Sequence, residues 1–231
     1  MAIDRTLLWP SQSIPKRGPK PRMTLERIVA AAIGIADTEG LAAASMQRVA
    51  DELGATKMSL YRYVPGKSEL TALMLDKRLG APPAPATAAQ PDWRTALSAW
   101  TIEIHRRFSE APWTLELAVG ARVIGPNELA WTERGLAALT GTPLTGAEQL
   151  DVLALLSGHA RSIVQQQTIV EPEHVTAVLM SGIIEEHATR FPYVAAAYAS
   201  ASVSGVRDDA LHFGTDRILD GIQTLISTRT N

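Results

Sequence analysis

Apolar side chains recur along this chain at helical spacing, and no stretch alternates convincingly in the manner of a strand. Leu25, Ile28, Val29, Ala32, Ile35 and Ala36 lie on one face, at offsets of 3, 4, 7, 10 and 11, with Thr24 before them as N-cap and Gly40 after them as terminator. Ser45 caps a short second helix that turns Val49, Ala50 and Leu53 inward. Gly54 supplies a tight turn, Thr56 caps a third helix over Lys57 to Val64, and Pro65-Gly66 stops it. A fourth helix, Lys67 to Leu79, offers Leu70, Leu73 and Leu75 for packing.

A Pro/Ala-rich run from Gly80 to Pro91 reads as a linker, and the pattern beyond it is helical again. Asp92 caps a long helix carrying Trp93, Leu97, Trp100, Ile104 and Phe108 near one face. Pro112 interrupts it, and Trp113 to Val123 follows as another segment. Gly125-Pro126 opens a helix that ends near Gly141, and Thr145-Gly-Ala-Glu148 is a capping box at the head of a long helix reaching Gln167. Pro172 to about Arg190, Tyr193 to Ala199, and Asp208 to Ser227 complete the series. The expected organisation is an all-α chain. Residues 1–22 form a flexible arm, 23–79 a helix-turn-helix unit built on three helices, 80–91 the linker, and 92–231 a larger helical domain.

Composition narrows what this chain can do. With 46% hydrophobic residues in 231 it can bury a substantial core, which excludes disorder as its main state. The absence of cysteine removes disulfides, thiolate catalysis and Cys-ligated metals, and fits a reducing cytoplasm. The N-terminus has no secretory apolar core, and the longest apolar run, Tyr193 to Ala199, is far short of the roughly 20 residues a membrane span needs. No membrane partner is expected. The net charge of −2 hides an asymmetry, because the first 80 residues hold 12 Lys+Arg against 8 Asp+Glu while the remainder is acidic. A basic first third on an acidic body suggests that the first part meets a polyanion.

Two short helices joined at a glycine turn form the plan in which the second helix enters the DNA major groove. Leu60 and Val64, four apart, can face the core and leave Lys57, Ser59, Tyr61, Arg62 and Tyr63 outward. Lys57 can donate to guanine O6 and N7, and Met58 or Ser59 can touch a thymine methyl. Tyr61 and Tyr63 offer hydroxyls to phosphate, and Lys67 adds a cation at the next helix start. In the basic run Ile14 to Arg22, the cations Lys16, Arg17, Lys20 and Arg22 are interleaved with Pro and Gly. It suits either a minor-groove strand carrying Arg17 and Arg22 or a solubilising tail.

The run from Gly40-Leu41 through Ser45-Met46-Gln47-Arg48-Val49-Ala50-Asp51-Glu52-Leu53-Gly54 and Met58-Ser59-Leu60-Tyr61-Arg62-Tyr63-Val64 to Lys67-Ser68-Glu69-Leu70 resembles the DNA-binding domain of the tetracycline-repressor (TetR) family. Carried over by position, Lys57, Met58 and Ser59 take the groove-contacting roles, Tyr61, Tyr63 and Lys67 the phosphate contacts, and Gln47 reaches DNA. Thr56, the cap of the reading helix, joins this DNA-facing set. Ala111-Pro-Trp, Gly125-Pro-Asn-Glu-Leu and Phe213-Gly-Thr-Asp-Arg-Ile-Leu-Asp-Gly-Ile222 resemble the C-terminal ligand-binding and dimerisation domain of the same family. The resemblance implies a homodimeric four-helix bundle from Thr145–Gln167 and Asp208–Ser227, with Leu211, Gly214, Ile218, Ile222 and Leu225 as the interface. Periodicity alone leaves the last helix free to pack within its own subunit.

Large residues on the bundle helices, Trp100, Ile104, Trp113, Leu117, Trp131, His159, Ile163 and Gln166, are the candidate lining of an effector pocket suited to a flat, partly aromatic ligand. Tetracycline repressors hold their drug through magnesium, partly by histidine. His105 lies in the corresponding helix, but its neighbours do not match, so no metal and no cofactor is assigned.

Catalytic patterns are sparse. One Glu-x-x-His, Glu171 to His174, straddles a proline, and Ser157 and His159 stand two apart, where a helix points them in different directions. The expected function is therefore not enzymatic. It is a ligand-responsive, DNA-binding transcriptional regulator, a repressor released from a palindromic operator by a small molecule. A ligand-independent DNA-binding protein or an activator would share the first domain.

Overall fold

The computed structural model describes residues 5–9, 23–84, 92–120, 122–169, 173–204 and 209–230, and within these every regular element is a helix. The first four are α1 (Leu25–Glu39), α2 (Met46–Glu52), α3 (Lys57–Tyr61) and α4 (Lys67–Leu79). Their starts are set locally. The side-chain oxygens of Thr24, Ser45 and Thr56 accept from the backbone N–H groups of Arg27, Arg48 and Ser59 at 3.3, 3.1 and 3.3 Å. Gly54 takes φ of 61° in the turn between α2 and α3, a conformation that favours glycine. Helix α3 is shorter than the sequence predicts. Tyr63 and Val64 both donate to the Leu60 carbonyl, tightening the last turn, and Pro65 excludes further helix.

Around these helices lies a first core of Ile28, Val29, Ala32, Ile35, Met46, Val49, Leu60, Val64, Leu70 and Met74. The second body comprises α5 (Trp93–Glu110), α6 (Thr114–Leu117), α7 (Pro126–Ala138), α8 (Gly146–Ile169), α9 (Glu173–Glu186), α10 (Pro192–Ser204) and α11 (Ala210–Thr230). Its core joins Leu97, Trp100, Ile104 and Phe108 of α5 to Trp131 of α7, Leu153, Leu156 and Val164 of α8, and Leu219 and Ile222 of α11. Asp92 caps α5 through Thr95 N at 3.1 Å. The capping box at α8 forms in both directions, with Glu148 Oε2 accepting from Thr145 N at 2.8 Å and Thr145 Oγ1 from Glu148 N at 3.4 Å.

Three boundaries differ from expectation. Helix α6 is a single turn rather than a helix to Val123, because Gly120 adopts φ of 80° and ends the run. Helix α9 stops at Glu186, and α10 extends well past Ala199, its Ala and Ser residues offering no obstacle to further turns. The proposed arm is not wholly irregular. Arg5–Leu7 form a 3₁₀ turn, Leu8 is buried, and Trp9 Nε1 donates to the Ile124 carbonyl at 3.0 Å. Residues 10–22, which include Arg17 and Arg22, lie outside the described residues, as do residues 85–91 of the linker.

The two bodies share α4. Leu70 and Met74 belong to the first core, Leu75 and Leu79 to the second. The sequence boundary near residue 80 therefore falls at the end of a common helix. Ala111 and Trp113 also leave the second body for the first core, and the Trp113 indole donates to Asp37 of α1 at 2.7 Å. At the other side of the contact, buried Asp76 of α4 receives the head of α7. Its Oδ1 accepts from Asn127 N at 2.9 Å and Glu128 N at 3.3 Å, and its Oδ2 from Asn127 Nδ2 at 2.9 Å. Gly125 makes this approach possible, because a Cβ there would stand 2.1 Å from Asp76 Oδ1. The linker start is tied down as well, with Trp131 Nε1 donating to Gly80 O at 2.8 Å and Arg134 to Pro83 O at 2.6 Å.

Candidate nucleic-acid interface and interior cavity

Helix α3 is held by one side only. Leu60 is fully buried, while Thr56, Lys57, Met58, Tyr61 and Arg62 are exposed, Met58 by 74%. A large apolar side chain so exposed on a five-residue helix is costly to leave in water, and suits a thymine methyl. Lys57 Nζ stands over the Tyr61 ring, 5.9 Å from its centroid, which limits where the ammonium can go. Lys67, exposed at the head of α4, extends the cationic surface.

Some of the expected DNA-facing residues have other work. Ser59 is half-buried and its hydroxyl donates to the Thr56 carbonyl at 2.6 Å, so its proton serves the helix. The Thr56 side chain is likewise the cap. Tyr63 is half-buried against the first core rather than fully outward, because the chain tightens after Tyr61. Gln47 is exposed at the start of α2 and donates to Asp51 at 2.8 Å.

The second body holds a half-open cavity of about 270 Å³ among α5, α7 and α8, just below the usual range for small-molecule sites. Of the expected lining, Trp100, Ile104 and Trp131 do face it, joined by Leu79, Phe108, Leu150, Leu153 and Ala154. The two indoles meet edge to face at 6.5 Å, and Trp100 Nε1 donates to the Trp131 carbonyl at 2.9 Å, so their polar ends are satisfied away from a ligand. One end is polar, lined by Arg122, Glu128, Thr132, Ser157 and Arg161. Arg122 pairs in bidentate fashion with Glu128, at 2.7 and 2.5 Å.

The other candidates lie elsewhere. Trp113 is in the first core, and Leu117 packs half-buried between the two cores. His159 turns to α11, where its Nε2 lies 3.0 Å from the Leu211 carbonyl and its ring covers Gly214. Ile163 is buried off the cavity, and Gln166 is exposed on the same helix. Helix α8 is apolar on more than one side, and its cavity face is that of Leu153, Ser157 and Arg161, two residues out of step with the face expected. Arg122, Glu128 and Arg161 were missed. They come from separate elements, and no local spacing connects them.

The interface candidates on α11 also divide. Ile222 is buried in its own subunit's core, and Ile218 packs against that core. Gly214 is occupied by His159, and Leu211 is half-buried. Leu225 remains exposed, as do Phe213, at 67% and outside the expected set, and, on α8, Leu155 at 57%. Burial pushes the His105 imidazole below its ordinary range, helped by electrostatic repulsion from the His159 and His212 rings and opposed by a hydrogen bond to Gln167. Among the described residues no cluster of three metal-ligating side chains occurs, and no helix is long and apolar enough to cross a membrane.

Comparison with known proteins joins these two features. Residues 28–74 match the family of bacterial regulatory proteins, tetR family, and residues 84–226 match the tetracyclin repressor-like C-terminal domain. The HTH-type transcriptional repressor DrrR1 of Streptomyces coeruleorubidus is 37% identical, the match covering 98% of this chain and 88% of that one. The crystal structure of apo ActR from Streptomyces coelicolor superposes with a TM-score of 0.75 at 25% identity, over 91% of this chain and 100% of ActR. ActR in complex with actinorhodin gives the same score and identity, over 90% and 98%. A groove-sized helix presented outward and a helical body matched along nearly its whole length leave one assignment: this chain belongs to the TetR family of DNA-binding transcriptional regulators.

Proposed function

We propose that this protein is a repressor that binds a two-fold operator as a homodimer and leaves it when a flat, partly aromatic small molecule enters the cavity. The position of α4 carries this reading. Leu79 at its end lines the cavity, while Leu70 and Met74 share a core with Leu60 of α3. A ligand that displaces α4 displaces α3 with it, and two reading helices must meet grooves about 34–36 Å apart. A differential affinity of a few kcal/mol for the two dimer arrangements is enough. The crystallisation of ActR with actinorhodin supports the cavity, and the description of DrrR1 as a repressor supports the direction of control.

Lys57 and Met58 are the proposed base readers, with Tyr61, Arg62 and Lys67 on phosphates. Exposed Leu155, Phe213 and Leu225 are the apolar surface that a second copy would cover, with α8 and α11 forming the bundle. The basic run holding Arg17 and Arg22 is proposed to follow the minor groove; its deletion should weaken operator binding and flatten the salt dependence.

The test is selection of bound fragments from random DNA, followed by fluorescence anisotropy on the selected site and a screen for compounds that dissolve the complex. Sedimentation of the complex should give two chains per site. Failure to select any sequence overturns the regulator reading. A complex that no compound dissolves favours a ligand-independent DNA-binding protein.

A further inference from the structure

The cavity's charge is not balanced. Its charged lining consists of Arg122, Arg161 and a single carboxylate, Glu128. Glu128 is committed to Arg122 through both oxygens. Arg161 has no ion-pair partner among the described residues; its Nε and Nη1 donate to the carbonyls of Ser157 at 3.3 Å and Ala118 at 3.2 Å. Arg122 Nη2 reaches the same Ala118 carbonyl at 3.5 Å, so the two guanidinium groups stand side by side at one end of the cavity. Arg122 Nε is buried with no hydrogen-bond partner. Two adjacent guanidinium groups, of which only Arg122 is paired with a carboxylate, leave a surplus positive charge at the polar end of a cavity whose remaining wall is apolar, and an arriving anion is favoured there.

Resting on the reading of this cavity as the effector site, we infer that the effector is a planar aromatic molecule bearing one carboxylate. Its rings lie against Trp100, Phe108 and Trp131, and its carboxylate is received by Arg161, with the Arg122 guanidinium beside it. Glu128 competes with that carboxylate for Arg122. The same residue's backbone N–H is held by Asp76 of α4, so the anion arrives at the wall that α4 leans on. Arg161 selects for charge, whereas the indoles select for shape.

The test uses a matched pair of probes, anthracene-2-carboxylate and the neutral anthracene-2-carboxamide, titrated calorimetrically into the full-length protein at neutral pH. The acid should bind about tenfold more tightly than the amide, equivalent to about 1.4 kcal/mol. Arg161→Gln should erase the difference by weakening the acid far more than the amide, with an unchanged circular dichroism melt showing that the variant is folded. Glu128→Gln should tighten the acid more than the amide. Equal binding of acid and amide to the wild type overturns the anion assignment while leaving the cavity as the site. Binding of both that persists in Ser157→Phe, which fills the cavity, overturns the effector-site reading as well. No detectable binding of the acid up to about 1 mM also overturns the inference.

Discussion

Replacing Asp76 with alanine should loosen the joint between the two bodies. The head of α7 has no side-chain cap of its own, because Gly125 occupies the N-cap position. Asp76 supplies the missing acceptor from another helix, taking Asn127 N at 2.9 Å and Glu128 N at 3.3 Å on one oxygen and Asn127 Nδ2 at 2.9 Å on the other. Loss of an N-cap acceptor costs about 1 kcal/mol, and loss of a negative charge at a helix head about another 0.3–1. Against this, alanine no longer buries a carboxylate, and burial is what pushes the Asp76 pKa above its ordinary value despite three hydrogen bonds that pull it down. The net loss should be about 1–2 kcal/mol, which at about 2–4 °C per kcal/mol for a chain of this size lowers the melting midpoint by about 2–8 °C. Asp76→Asn should fall between, since its Oδ1 still accepts from the two backbone N–H groups while its Nδ2 faces a second donor on Asn127. Circular dichroism melts at neutral pH measure both variants. A midpoint for Asp76→Ala within about 1 °C of wild type would refute the argument that this carboxylate holds α7 to α4.

Other outcomes follow from the same geometry. Lys57→Ala should cost about 1–3 kcal/mol of operator affinity and relax preference at one position per half-site; anisotropy with single-base operator variants measures this, and an equal loss on every sequence would make Lys57 a phosphate contact. Gly214→Ala places a Cβ 2.3 Å from the His159 ring, so it should break the contact with the Leu211 carbonyl and cost about 1–3 kcal/mol in urea denaturation; an unchanged midpoint would show that the ring moves freely. Arg229 and the Thr145 cap hold the Glu148 carboxyl down to about 2, from an ordinary 4.5. Its contribution is therefore present above the ordinary value and lost as pH falls from there towards the folded value. Between about pH 5 and 2, Glu148→Gln should lose thermal stability less steeply than wild type, and parallel curves would count against the pair.

The parts of this fold legible in the sequence are those decided within a few residues. The caps at Thr24, Ser45, Thr56, Asp92 and Thr145 and the buried stripe of α1 are local, and each stands where its pattern predicts. The outward face of α3 was legible for the same reason, since Leu60 in and Lys57 out is a property of one helical turn. What escaped depends on how distant helices meet. Helix α8 carries buried residues at 152, 153, 156, 160, 163 and 164, a stripe too wide to say which edge faces a cavity. The edge with Ser157 and Arg161 does, while His159 faces α11. Trp113 follows a proline break, and nothing nearby in the chain tells that its partner is Asp37, 76 residues earlier.

Sharing α4 between two cores has a practical corollary for anyone recombining such proteins. A chimera joined at Gly80 would bring the reading module's Leu75, Asp76 and Leu79 against a foreign sensor shaped for other side chains. Transplanting the DNA preference of this chain while keeping another sensor requires a crossover inside α4, between Met74 and Leu75, where one core hands over to the other.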